Sequence, residues 1–281
     1  MALCQIEYYS GAMMQPMGVC VIIPENKWGY SLADRPEDAR YPTLWLLCGG
    51  GYDHTDWLRY TSLELWAAKR GLAVVLPGIS YAGYCNTAEG DYRWWDQIAC
   101  ELPDYLRKIF PLARERERNF VAGFSMGGYG AVKLALQRPD MFAACGNFSG
   151  PVGIIPREPV KPDEKLGQPC LRDDFCEPPF ATLWAAFGSA ATRRNTPDDN
   201  LYMLEKRIRE GTPLPRFYMA IGDKDPGAQD GYAVMDLMRT LGVDLYDVRD
   251  EGRHDWDYCQ KHLPAFLEWL GDVGEFLMEV D

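Results

Sequence analysis

The chain has 281 residues, 47% hydrophobic and 13% aromatic, a globular composition able to bury a sizeable core as one large α/β domain or two small ones. A formal net charge of −12 argues against nucleic acid or an anionic membrane surface as partner and leaves the substrate open. No segment approaches the about 18 consecutive apolar residues that a membrane-spanning helix needs.

The opening MALCQIEYYSGAMMQPMGVCVIIP reads as two strands around a turn, since no basic segment leads into an apolar run as in a secretory leader. Strand candidates follow at 20–24, 43–48, 72–77 and 119–123, with helix candidates at 57–70, 93–110 and 129–137. A short strand lies within FAACGNFSG, and the end of the chain reads strand, helix, strand, helix through RFYMAIGD, YAVMDLMRTLG, DLYDVRD and LPAFLEWLGDVGEFL. Strands alternating with helices of this length indicate a mostly parallel sheet covered on both faces. Functional groups in such sheets gather at the carboxyl ends of strands. Residues 151–200 break the rhythm with eight prolines and few regular patterns, so a cap over the site is expected there within a single domain spanning 1–281. An ordinary surface insertion is the competing reading. The nine cysteines are scattered without any C-x-x-C, which points to free thiols in a reducing cytoplasm; only Cys170 and Cys176 stand out as a candidate disulfide pair.

The most informative stretch is NFVAGFSMGGYG at 119–130. An apolar run ends in Gly123-Phe124-Ser125-Met126-Gly127 and a helix-forming segment follows, the strand–turn–helix order of a G-x-S-x-G nucleophile elbow. The turn lifts the serine hydroxyl clear of the sheet, and the glycines are needed where a Cβ would strike strand or helix. Met126 N–H, at the start of the helix, is placed to stabilise an oxyanion. A serine needs a base, and the chain has three histidines. His254, in the loop after DLYDVRD, is favoured; His54 reads as a loop or cap residue and His262 as a surface residue near a helix start. Asp223 and Asp225 follow RFYMAIG and precede His254, which produces the order Ser…Asp…His; one of the two reads as a turn residue. A second oxyanion donor is expected from the Gly49-Gly50-Gly51 loop after the strand at 43–48, with Gly50 favoured and Gly51 the alternative. A phosphate loop would require a following Lys-Ser/Thr or G-x-G-x-x-G, and a zinc site an H-x-x-x-H or H-x-H spacing; neither is present.

With these residues in view, the chain resembles the putative-esterase family of α/β-hydrolases, which includes tributyrin or acetyl esterases, S-formylglutathione hydrolases and feruloyl esterases. It is most similar to the short-chain acyl branch, through LWLLCGGGYDHTDWLRYT, AVVLPGISYAGYCN, GFSMGGYGAVKLAL, AIGDKDP and GRHDWDY. The resemblance implies an α/β-hydrolase fold with a cap insertion and a serine carboxylesterase, with Ser125 as nucleophile, His254 as base, Asp225 rather than Asp223 as acid, and Gly50 and Met126 as oxyanion donors. Feruloyl-ester and S-formylglutathione hydrolysis are the nearest alternatives, acyl transfer and non-catalytic binding the remoter ones. One departure is Cys48-Gly49 where the family usually has His-Gly; the oxyanion loop is expected to survive it. Tyr81, Tyr84 and Trp94-Trp95 are candidates to line the pocket mouth, with Trp184 and Phe187 contributing from the cap. The expected partner is a small-molecule ester, with no metal, cofactor, nucleic acid or membrane; assembly into a homo-oligomer stays open.

Overall fold

The computed structural model describes residues 1–24, 40–88, 90–153 and 193–271. Strands β1 (Ala2–Ser10) and β2 (Gln15–Ile23) form the expected antiparallel hairpin, and β2 lies antiparallel to β4 (Ala73–Pro77). From β4 onward every pairing is parallel, through β3 (Thr43–Leu47), β5 (Asn119–Phe124), β6 (Ala144–Phe148), β7 (Arg216–Gly222) and β8 (Leu245–Asp250). The eight strands run in the order β1-β2-β4-β3-β5-β6-β7-β8.

The central strands read as unbroken apolar runs because both faces of the sheet are covered. Successive side chains alternate between two cores. Leu44 and Leu46 face one side with Trp57, Leu63 and Phe266; Trp45 and Leu47 face the other with Leu102, Val132 and Met235. The first side is closed by α1 (Asp56–Tyr60), α2 (Leu63–Lys69) and α8 (Trp256–Gly271). On the second side, α3 (Trp94–Asp96) passes through a π-helical turn, Gln97–Glu101, into α4 (Leu102–Ile109). Beside it pack α5 (Met126–Gln137), α6 (Asn200–Arg209) and α7 (Ala228–Thr240).

Three elements differ from the sequence reading. The helix expected over 57–70 breaks at Thr61, whose backbone is extended at φ −136° and ψ 167°. Its hydroxyl donates to the Trp57 carbonyl at 2.5 Å while Ser62 N–H donates to Gln260 Oε1 at 2.7 Å, so local side-chain bonds compete with the helical ladder. Helix α8 begins at Trp256, well before the expected 263, and accommodates Pro264 inside it. Helix α6 was hidden behind the proline-rich stretch; Asp199 caps it by accepting from Tyr202 N–H at 3.1 Å. Most of the expected cap, 154–192, including Trp184, Phe187, Cys170 and Cys176, lies outside the described residues.

Helix α5 is buried from Met126 through Leu136, a central helix wedged against the sheet. Close approach makes this packing feasible. A Cβ on Gly123 would overlap the Gly127 carbonyl, and one on Gly127 would lie 2.5 Å from the Leu47 carbonyl oxygen and 2.6 Å from that of Cys48. The substitution Gly123→Ala is expected to lower unfolding free energy by about 1–3 kcal/mol, the usual cost of overpacking, read by denaturant titration.

Candidate active site

Ser125 joins β5 to α5 with φ +55° and ψ −120°, a backbone conformation that an L-residue adopts only under constraint. The constraint is visible on both sides. Ser125 N–H donates to the Phe148 carbonyl at the end of β6 at 2.9 Å, and the Ser125 carbonyl accepts from Gly128 N–H at 2.9 Å in the first turn of α5. The hydroxyl is thereby presented above the carboxyl edge of the sheet, partly accessible to solvent.

Asp225 and His254 arrive from the ends of β7 and β8. The two loops are zipped together: Asp223 N–H donates to Asp250 O at 2.8 Å and Lys224 N–H to Gly252 O at 2.9 Å. A Cβ on Gly222 would overlap the Gly252 carbonyl. Behind them, Asp250 accepts from Tyr258 Oη at 2.9 Å and Lys261 Nζ at 2.7 Å, which pins the start of α8 to the end of β8. His254 then spans the gap, with Nδ1 2.8 Å from Asp225 Oδ2 and Nε2 2.9 Å from Ser125 Oγ. With Nδ1–H donating to the carboxylate, Nε2 is the free acceptor that faces the serine hydroxyl.

Burial alone would raise the Asp225 carboxyl; the His254 ring beside it and Gly227 N–H, which donates to Oδ1 at 2.8 Å, outweigh that and hold it below the usual carboxylate range. It therefore stays ionised as pH falls through the range where a free aspartate protonates, and its contribution is lost only below its depressed value. Asp223 is exposed and instead accepts from Gly252 N–H at 3.2 Å, bracing the histidine loop. Of the two aspartates, only Asp225 meets the imidazole.

The glycine loop after β3 lies alongside the elbow. A Cβ on Gly49 would sit 3.4 Å from the Phe124 carbonyl, so Gly49-Gly50 borders the first turn of α5, where helix-start amides such as Met126 N–H have no intrahelical partner. Tyr81 covers Gly50 so closely that a Cβ there would overlap its ring. The Cys48 thiol is buried, 3.8 Å from Tyr84 Oη, and burial pushes it up to about 12, an inert group that fills its site.

The pocket candidates fare differently. Tyr84 is fully buried and donates to the Cys48 carbonyl at 2.8 Å, so it is an internal brace rather than a pocket wall. Trp95 packs beside Lys133, whose Nζ is 4.9 Å from its ring centre. Lys133 is itself two turns along α5 from Ser125, roughly 12 Å by helical rise. His262 is buried inside α8 against Asp250 and Tyr258 rather than on the surface, and burial lowers its pKa. His54 packs over Gly18 and Gly78. Sequence reasoning missed the aromatic group beside the histidine: Phe124 lies 5.0 Å from the His254 ring and 5.1 Å from Trp256, and Trp256 contacts Tyr52 at 5.2 Å and stacks on Tyr60 at 5.3 Å. Its only sequence signal was Trp256 two residues after His254 and Tyr52 just past the glycines.

The family model described as putative esterase matches residues 10–270. The chain belongs to the putative esterase family. Over 275 residues it is 26% identical to an acetyl esterase of Caldicellulosiruptor saccharolyticus, covering 98% of this chain and all of the relative. Among solved structures it is similar to the fluorophosphonate-binding serine hydrolase F of Staphylococcus aureus, solved with substrate bound, at 29% identity and a TM-score of 0.82 over 98% of this chain and 99% of the other. An S-formylglutathione hydrolase from Staphylococcus aureus gives 28% identity and 0.79 over 97% and 99%. The α/β-hydrolase fold and the chemistry of a serine ester hydrolase follow. No helix among the described residues of this esterase is long and apolar enough to cross a membrane.

The aspartate pair offers a direct check. Asp225→Asn is expected to lower kcat by about 10⁴, because an amide no longer holds the productive imidazole tautomer. Asp223→Asn, which removes only a charge from a loop brace, is expected to stay within about threefold, both read on p-nitrophenyl acetate.

Proposed function

We propose that this esterase is a serine carboxylesterase for short-chain acyl esters, working through an acyl-enzyme. The observation that carries this reading is the continuous path from Asp225 Oδ2 through the His254 ring to Ser125 Oγ, in steps of 2.8 and 2.9 Å. His254 Nε2 takes the hydroxyl proton as Ser125 Oγ attacks the ester carbonyl, and the negative charge on its oxygen is held by Gly50 and Met126 N–H. The imidazolium returns its proton to the departing alkoxide oxygen as the carbonyl reforms, leaving the acyl group on Ser125. A water then repeats the cycle, giving up its proton to His254, and releases the carboxylic acid. Asp225 remains ionised throughout, in keeping with its depressed carboxyl.

A small acyl group is supported by the Tyr81 ring crowding Gly50 and by the acetyl esterase among the relatives. Thioester hydrolysis is the second reading, favoured by the similarity to the S-formylglutathione hydrolase. Feruloyl esters rest on similarity of fold, since those structures share only 16–18% identity. We also place the esterase in the cytoplasm, on the strength of free thiols at Cys4, Cys20, Cys48, Cys85, Cys100, Cys145 and Cys259.

Replacing Ser125 with alanine is expected to lower turnover of p-nitrophenyl acetate by about 10⁴–10⁶ and abolish fluorophosphonate labelling; near-wild-type turnover by folded Ser125→Ala protein would refute the nucleophile. A panel of acetyl, butyryl, feruloyl and S-formyl thioester substrates should give its highest kcat/KM on acetyl or butyryl esters. kcat/KM should fall in acid while Asp225, held below the usual carboxylate range, is still ionised; a kcat/KM that does not change with pH would count against a base in the path.

A further inference from the structure

The two oxyanion donors of the proposed reaction sit on different elements, Gly50 on the loop after β3 and Met126 at the start of α5. Their separation must hold to a fraction of an ångström, because donors stabilise the developing charge only at hydrogen-bond distance from the oxygen's final position. We propose that Tyr84 is the positioning residue that sets this separation, acting as a cross-brace between α5 and the glycine loop. The inference rests on the esterase reading above and adds a residue that touches neither substrate nor the Ser125–His254–Asp225 path.

Both ends of the brace are anchored. At one end the Tyr84 hydroxyl donates to the Cys48 carbonyl at 2.8 Å, two residues before Gly50. Burial holds the phenol well above its usual pKa, so the group remains a donor at any working pH. At the other end the Tyr84 carbonyl accepts from Lys133 Nζ at 2.8 Å. Lys133 lies on α5, is almost completely buried, and is itself paired with Asp198, which Arg193 also engages. Between the two anchors the ring lies flush on α5: a Cβ on Gly130, one turn beyond Met126, would overlap it. The residue adopts φ +52°, a left-handed backbone that costs energy for a tyrosine, and holds it with no solvent exposure at all. The Cys48 side chain makes no competing hold on α5, since its thiol faces the Tyr52 and Pro77 carbonyls and this same phenol at 3.7–3.9 Å.

The test is Tyr84→Phe, which keeps the ring and removes only the hydroxyl. Deleting an entire oxyanion donor costs about 10²–10³ in kcat, so misplacing one should lower kcat on p-nitrophenyl acetate by about tenfold. KM should stay within about twofold, and the inhibition constant of phenylboronic acid, whose tetrahedral serine adduct uses the same donors, should rise by the factor that kcat falls. Gly130→Ala pushes on the ring without deleting a polar group and gains helix propensity, so it should move the same two quantities in the same direction, and it decides the matter if Tyr84→Phe fails to accumulate. Unchanged kcat, or a lower melting temperature with boronate affinity intact, would overturn the brace and leave Tyr84 a packing residue. Ser125→Ala run in parallel separates the two levels: an active Ser125→Ala enzyme sinks the esterase reading itself, whereas an inactive one beside a fully active Tyr84→Phe sinks only the brace.

Discussion

Everything at the carboxyl edge of this sheet depends on the near-contact of two backbones, β5 at Gly123 and α5 at Gly127. Only with no side chain on either residue can the helix start immediately after the strand, which forces Ser125 into its left-handed turn and aims its hydroxyl away from the core. The conformational cost at Ser125 is offset by burial of α5 from Met126 through Leu136 and by the tie of Ser125 N–H to the Phe148 carbonyl. A side chain of any size at these glycines would move helix and serine together, so the placement of Ser125 and core packing are one constraint here.

Asp225 and His254 reach that hydroxyl through a different device. Neither belongs to a regular element; each sits on a loop whose conformation is fixed by backbone bonds to the other loop. Such reciprocal pairing lets a half-exposed imidazole keep its orientation without being buried. Asp225 supplies the complement: buried and ionised, stabilised by the imidazole and by Gly227 N–H, it can favour an imidazolium without taking the proton.

The Lys133–Asp198–Arg193 group extends the same logic to the base of the proline-rich segment. A buried ammonium is costly unless paired, and removing one partner of such a pair typically costs about 3–5 kcal/mol. Lys133 is satisfied by Asp198, by the Tyr84 carbonyl and by the face of Trp95, while Tyr129 Oη donates to the Asp198 carbonyl at 2.6 Å. Residues 193–199 are thereby fastened to α5, the helix that begins just after Ser125. Asp225 and His254 are referenced to the start of the same helix through the path that ends on Ser125 Oγ.

The sequence by itself determined the strand–helix alternation, the elbow at Ser125 and the shortlist of one serine, three histidines and two aspartates, because those features are written in local periodicity and in glycine spacing. It also carried His254 over His54 and His262 through its place after the last strand. Local pattern left two aspartates open and the family resemblance favoured Asp225; the tertiary structure brings that one to the imidazole, because the two are two residues apart on one loop and differ in which way the zipped backbone turns them. Tyr84 shows the limit most plainly. Read along the chain it is one more aromatic after β4, and its placement inside, between Lys133 and the Cys48 carbonyl, depends on contacts with residues 49 positions later and 36 earlier. The break at Thr61 and the helix behind the prolines were illegible for a related reason: each depends on a side-chain hydrogen bond to the backbone, which periodicity does not record.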